Sequence, residues 1–526
     1  AWGSSIRLHK HGRVKKYKAK VEHVSHSTDL ALLDVLEPGF WDGLTELELG
    51  GIPELHHRVT VVGYPIGGDK ISVTEGVVSR IEVTPYSHSG ESFLAIQIDA
   101  AINAGNSGGP AFEGTRVVGV AFESLVEAEN IGYIIPVPVI QHMIRDIVLH
   151  KQVTGIVRMG FTWQPLENPS MRAYYGLSND EGDVHTHSAI QIRKRTTQTR
   201  NARSRTTTSG TATLTNTSEF YDGNMPDYTG ILIRRVEPLA PVHRILKKGD
   251  VLLKFQGVPI GADGSVPLRD DERVLFTHLV ATGKYIGDKV NLTIKRAGSP
   301  GVSEVEVELS RPAELVPGNL WDKKASYLIY AGLVFTSLSD PYLASEFGRK
   351  WEEDAPLDLI RQSLEGMPKH PDEEVVILSR VLVSSTNIGY EGVRNVRLEK
   401  VDGITVKSLR HLASILFNRH NTTSSNTNIT ISGTGNAPLA KLNDDVNSIN
   451  ACNATSSDHL CFEFAVDSFL LIVNRTEAEE QDPTILAESN IPARMSNDLK
   501  LYLENEIESH RRNESSLSPS IHASAG

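Results

Sequence analysis

Cysteine is close to absent. The 526 residues hold two, Cys452 and Cys461. They could pair with each other, but they are too few for a disulfide framework and belong to no Cys/His cluster with zinc-site spacing. Both lie in or beside a polar stretch and read as incidental, so no metal and no cofactor is expected. Long apolar runs are also lacking. A membrane-spanning helix needs about 18–20 apolar residues in succession. The most apolar window, GYIIPVPVIQHMIRDIVL, is broken by two prolines, a histidine and an Arg–Asp pair, so no integral membrane segment is expected. Basic residues are outnumbered, 53 Lys and Arg against 65 Asp and Glu for a net charge of −12. That balance favours solubility and speaks against nucleic acid as the main partner. The chain opens at Ala1 with no initiator methionine, charged n-region or apolar h-region, so a targeting peptide is not expected within it.

What is present is a globular composition, 39% hydrophobic and 22% charged, in a chain too long for one core; two to four domains are expected. Residues 1–150 read as β-structure, with short Val/Ile-rich runs (RVTVVGYPI, ISVTEGVVSRIEV, FLAIQIDA) between Gly, Pro, Asn and Ser turns. They end in a helix-period segment, IPVPVIQHMIRDIVLHK. From about residue 155 the pattern is mixed. KKGDVLLKFQGVPI and VRNVRLEKVDGITV share a strand, a glycine turn and a second apolar pair, a weak internal repeat. A helix is expected around RDDERVLFTHLVATG and another at SLRHLASILF. Polar stretches at about 180–227 and 419–457, and the tail beyond about 505, cannot bury a core and read as disordered. The basic run Arg193–Arg205 is open to two readings, a nuclear-localisation or nucleic-acid patch and a solvated loop.

The residues with most chemistry are GNSGGP, 105–110. A serine hydroxyl is a weak nucleophile unless a base takes its proton and donors hold the oxyanion formed on attack. Glycines let the chain turn sharply enough for amides and hydroxyl to converge. The spacing makes Ser107 the nucleophile and the N–H groups of Gly105 and Ser107 the oxyanion hole, with Pro110 setting the exit into AFEGTRVVGVAF. A glycine-rich hairpin turn with an idle serine is the plainer alternative.

VVGYPIGG, SVTEGVVSRIEV, IQIDAAINAGNSGGPAF and NIGYIIPVPVI occur in that order. In this the chain resembles the Deg/HtrA family of chymotrypsin-fold serine proteases with C-terminal PDZ domains, closest in look to its plant and algal chloroplast branch. The resemblance implies a mainly β fold: a chymotrypsin-like double β-barrel, the first barrel incomplete, followed by two PDZ-like α+β domains. It assigns residues 1–150 to the protease domain and 151–315 to the first PDZ domain, with an insert at about 180–227. A second PDZ-like domain takes 325–475, with an insert at about 419–457, and a partly disordered extension takes 476–526.

By the same resemblance Asp29, in STDLALLDV, is the aspartate that orients the catalytic imidazole; Asp34 is the alternative and reads as an exposed charge. The family's histidine precedes that aspartate by about thirty residues, which falls just before Ala1. His9, His11, His23 and His26 qualify by residue type but match no motif, so the base is expected outside the chain and the chain alone is expected to be inactive. The strand 118–124, with Ala121 and Phe122, is expected beside the specificity pocket. PDZ domains hold a peptide C-terminus on a glycine-bearing loop of backbone amides. RMGFTW supplies Met159, Gly160 and Phe161 in the first; YAGLVF supplies Ala331, Gly332 and Leu333 in the second. The resemblance implies an ATP-independent endopeptidase for unfolded or damaged proteins, assembled as a homotrimer or higher oligomer. It points to the chloroplast, with mitochondrion or nucleus as alternatives. A non-catalytic PDZ scaffold that binds unfolded peptides is the rival from another class.

Overall fold

The computed structural model describes residues 6–64, 70–102, 105–124, 131–177, 230–269, 271–299, 301–417, 458–465 and 469–516. The two polar inserts, with Arg193–Arg205, lie outside the described residues. The described chain is mainly β. Two hairpins come first, β1 (Arg7–His9) with β2 (Lys16–Lys18) and β3 (Lys20–Ser25) with β4 (Leu30–Asp34). These stand as separate two-stranded sheets where a first barrel is expected. The next six strands are β5 (Arg58–Gly63), β6 (Ser72–Pro85), β7 (Ser92–Ile98), β8 (Pro110–Glu113), β9 (Arg116–Ser124) and β10 (Gly132–Pro136). They close a barrel in the order β10-β7-β6-β5-β8-β9. Alternation along β5 turns Val59 and Val61 inward against Leu94, Ile96, Ile98 and Ile134, all fully buried. Helix α1 (Val137–His150) follows, opened by prolines at its start.

Two units with matching topology succeed the barrel. The first comprises β11 (Phe161–Pro165), α2 (Pro169–Tyr174), β12 (Ile231–Val236), β13 (Val251–Phe255), β14 (Val258–Pro259), β15 (Ser265–Arg269), β16 (Glu272–Leu275), α3 (Thr277–Ala281), β17 (Lys289–Lys295) and β18 (Val302–Glu308). Its sheet runs β11-β12-β13-β17-β18, with β14 paired to β13. The long helix expected around residues 269–283 is not there. Val274 and Phe276 are buried while Arg273 is exposed and Leu275 is only half-buried, a period of two, so the segment pairs with β15 as a hairpin and only Thr277–Ala281 is helical.

The second unit holds β19 (Tyr327–Tyr330), β20 (Leu333–Ser337), α4 (Asp340–Phe347), α5 (Trp351–Asp354), α6 (Leu357–Glu365), β21 (Val376–Val381), β22 (Val396–Val401), β23 (Ile404–Thr405), α7 (Leu409–Phe417), β24 (His459–Phe464), β25 (Leu470–Asn474), α8 (Arg475–Glu488) and α9 (Asn497–Ser516). Its sheet runs β19-β20-β21-β22-β24-β25, with β23 paired to β22. Cys461 on β24 is buried and disulfide-bonded. The unit does not stop at residue 475: Ala478 of α8 and Leu499 and Leu503 of α9 are part of its core. The two repeat segments seen in the sequence are β13–β14 and β22–β23, each a two-stranded hairpin. Gln256-Gly257 and Asp402-Gly403 at their tips all have positive φ, the conformation that a two-residue hairpin turn requires.

Candidate functional site

Ser107 sits in the connection from β7 to β8, exposed, on a turn held from two sides. On one side, Gly108 donates its N–H to the Ala121 carbonyl at 2.7 Å and Ala121 donates back to the Gly109 carbonyl at 2.8 Å. On the other, the turn presses on the end of β5. A Cβ on Gly63 would lie 2.8 Å from Cα and Oδ1 of Asn106, and one on Gly109 would lie 2.1 Å from the Val62 carbonyl. No side chain larger than hydrogen fits at either place. Asn106 is 1% exposed with its Oδ1 unpaired, so the residue beside the serine is an anchor and the serine projects. The N–H groups of Gly105 and Ser107 donate to nothing among the described residues.

Asp29 occupies the β3–β4 turn with φ +55°, exposed. The turn is braced by the Thr28 hydroxyl, which donates to Ser25 Oγ at 2.7 Å, and is tied to the barrel by Ser89 Oγ, which donates to the Ser27 carbonyl at 2.8 Å. No hydrogen bond joins Asp29 to Ser107. β9 connects the two regions. Its pairing with β10 matches Ala121 to Ile134 and Glu123 to Tyr133, leaving Phe122 as the extra residue of a β-bulge. Ala121, 1% exposed, thus gives its backbone to the serine's turn. Phe122 places its ring 4.6 Å from that of Tyr86, in a cluster against which Leu30, the neighbour of Asp29, also packs. Both residues expected beside a specificity pocket are buried here.

None of the four N-terminal histidines hydrogen-bonds Ser107 or Asp29. His9 packs edge-on against Tyr64, and His26 stacks on Trp321 at 4.8 Å and reaches Asp322 at 3.1 Å. Among the described residues no group of three His, Cys, Asp or Glu side chains could hold a metal, and no helix is long and apolar enough to cross a membrane.

Of the two amide loops, Met159-Gly160-Phe161 leads into β11, an edge strand. Gly160 has φ +72°, and a Cβ there would strike that of Ala240 at 2.4 Å. A cleft of about 430 Å³ opens beside it, lined by Met159, Phe161 and Trp163 on one wall and Val280 and Ala281 of α3 on the other. The barrel reaches its rim: Glu91 pairs with Arg158, which also meets Glu314 at 3.5 Å. Burial raises the Glu237 carboxyl above its usual range, opposed by Arg158. The second loop, Ala331-Gly332-Leu333, joins β19 to β20 and is fully enclosed. The Ala331 N–H donates to Asp482 Oδ1 at 2.8 Å, and Asn387 Nδ2 donates to the Ala331 and Leu382 carbonyls, each at 2.8 Å. Asp482 had no signal in the sequence, where nothing marks it out within the acidic run TEAEEQDPTIL.

A trypsin-like peptidase domain family matches residues 7–120, and a PDZ domain family matches residues 316–498. The chain is 39% identical over 413 residues to the "Putative protease Do-like 3, mitochondrial" of Arabidopsis thaliana, covering 78% of this chain and 63% of the relative. To "Protease Do-like 2, chloroplastic" of the same plant it is 38% identical over 416 residues, covering 78% and 60%. To "Protease Do-like 4, mitochondrial" it is 35% identical over 411 residues, covering 78% and 67%. The chain thus spans between 60% and 63% of the first two relatives' length. The ordered motifs, the serine-bearing barrel and these likenesses together make the chain a member of the Deg/HtrA, or Do-like, family of serine proteases.

Proposed function

We propose that the protein is an ATP-independent serine endopeptidase that degrades unfolded or damaged proteins, with Ser107 as its nucleophile. The observation that carries this is the turn itself: Gly63, Gly109 and Ala121 fix it from two sides while Ser107 stays exposed. Ser107 Oγ attacks the scissile carbonyl and its proton passes to an imidazole. The carbonyl oxygen takes the negative charge and is held by the amides of Gly105 and Ser107. Asp29 orients the imidazole, which is supplied from outside residues 1–526. The proton then goes to the leaving amine, and water releases the acyl group.

The Met159–Phe161 loop and the edge strand β11 take substrate C-termini by strand addition, and the working form is a trimer or larger. An organelle is the proposed location, because the relatives' names place them in mitochondria or chloroplasts. A second reading, a peptide binder without catalysis, is favoured by the lack, among the described residues, of any histidine bonded to Ser107.

Casein cleavage by this chain and by one extended upstream, each with a Ser107→Ala control, separates the two. Cleavage by the extended chain alone, abolished by Ser107→Ala, is expected. Cleavage by the shorter chain that Ser107→Ala abolishes refutes the external imidazole. Failure of both to cleave while both bind unfolded protein favours the binder.

A further inference from the structure

The main sheets of the two units after the barrel match strand for strand: β11, β12, β13, β17 and β18 of the first correspond in order to β20, β21, β22, β24 and β25 of the second, and β14 corresponds to β23. The second unit's sheet has one strand more. β19 lies antiparallel along β20, on the edge that β11 leaves without a strand among the described residues, and its C-terminal end runs into the amide loop. That is the place and direction of a peptide added to a PDZ sheet with its terminus at the loop. The outer side of β19 is covered in turn: Ile329 donates to the Arg494 carbonyl at 2.7 Å and Ser496 donates to that of Tyr327 at 3.0 Å. A peptide ligand ends in a carboxylate on the loop amides. Here the Asp482 carboxylate, brought in by α8 and 1% exposed, accepts from Ala331.

We propose that the Ala331–Gly332 loop is a carboxylate-binding site permanently occupied by the chain's own Asp482, with β19 in the place of the peptide strand. The second unit is therefore closed to external chain ends. Asn387, fully buried, holds the loop from its carbonyl side. Peptide capture falls to the first unit, whose edge carries no added strand among the described residues. Capture by the first unit rests on the peptide-binding role proposed above; the occupancy by Asp482 does not.

Hydrogen exchange on the full chain tests the occupancy. In Asp482→Ala, the amides of 329–334 are expected to exchange about tenfold faster or more, as fits loss of a buried bond to a charged acceptor, while 92–98 in the barrel stay unchanged. Acetate is expected to restore protection, and chloride at equal ionic strength is not. Unchanged exchange in the variant, or equal rescue by chloride, overturns the proposal. A second measurement needs no change in the second unit, and so holds even where Asp482→Ala does not fold. A fluorescein-labelled peptide with an apolar C-terminal residue and a free carboxylate is expected to titrate one site per wild-type chain. Gly160→Val is expected to abolish that site. Two sites, or one that survives Gly160→Val, refute the closure. No binding at all counts against the peptide role of the first unit, and the exchange result then decides the occupancy alone.

Discussion

Replacing Asp482 by Asn should change how the stability of the second unit depends on pH. Burial pushes this carboxyl from 3.8 up to about 6, against the lowering pull of the Ala331 and Gly332 amides and of Arg494, with Glu479 adding a small push upward. A proton therefore binds the folded state more tightly than the unfolded. The contribution favours folding in full below about pH 4 and is lost as the pH rises through about 6. Two pKa units, at about 1.4 kcal/mol each, make that swing about 3 kcal/mol. Asparagine keeps an acceptor for the Ala331 N–H and never ionises. The variant should thus match the wild type near pH 4 and exceed it by up to about 3 kcal/mol at pH 8. Urea-dependent hydrogen exchange read on residues 327–338 and 459–464 at a series of pH values measures the difference. Because both proteins share every other titrating group, the difference isolates Asp482. A gap between variant and wild type that stays constant from pH 5 to pH 8 would refute the reasoning.

Gly63→Ala places a methyl against the backbone of Asn106; a barrel destabilised by about 1–3 kcal/mol and lost casein cleavage in the extended chain are expected, whereas full activity would show that the turn has room. Ile96→Ala empties the barrel centre, where the side chain is fully buried, and should cost about 2–5 kcal/mol in exchange measured on residues 92–98. Burial holds the His278 imidazole in α3 down at about 4. Its contribution to folding is complete above about pH 6.5 and disappears as the pH falls through 4. The first unit should therefore lose protection over residues 274–282 in that window, and His278→Gln should flatten the loss.

What the sequence made legible was what constrains the backbone. GNSGGP and the two hairpins at Gly257 and Gly403 could be read because turns of that tightness admit few residues, and because the alternation of flanking apolar residues fixes a face. The barrel strands could be read for the same reason. Residues 269–276 could not, since Arg-Asp-Asp-Glu-Arg followed by Val-Leu-Phe suits a helix start as well as a strand, and pairing with Ser265–Arg269 decides between them. Asp482 was hidden among glutamates, and only the folded chain shows that it alone of that run turns toward the loop. The closing role of β19 was equally hidden, because nothing local in YLIY shows the edge that it occupies. Asp29 and Ser107 were found by motif; the side chain that lies between their supports, Phe122, follows from a register shift that no local pattern displays.

That shift makes part of the site a matter of counting. Phe122 is surplus to the ladder between β9 and β10, and because of it Ala121 meets the serine's turn while the next side chain faces the cluster beneath Leu30. Another apolar residue at 122 would leave this arrangement standing. Deleting one residue there would turn every later side chain of β9 to the opposite face and separate the two supports, although no atom of Ser107 or Asp29 had been touched. In this barrel, insertions and deletions near the bulge threaten the nucleophile more than most substitutions do, so the length of β9 is as much a property of the site as the serine itself.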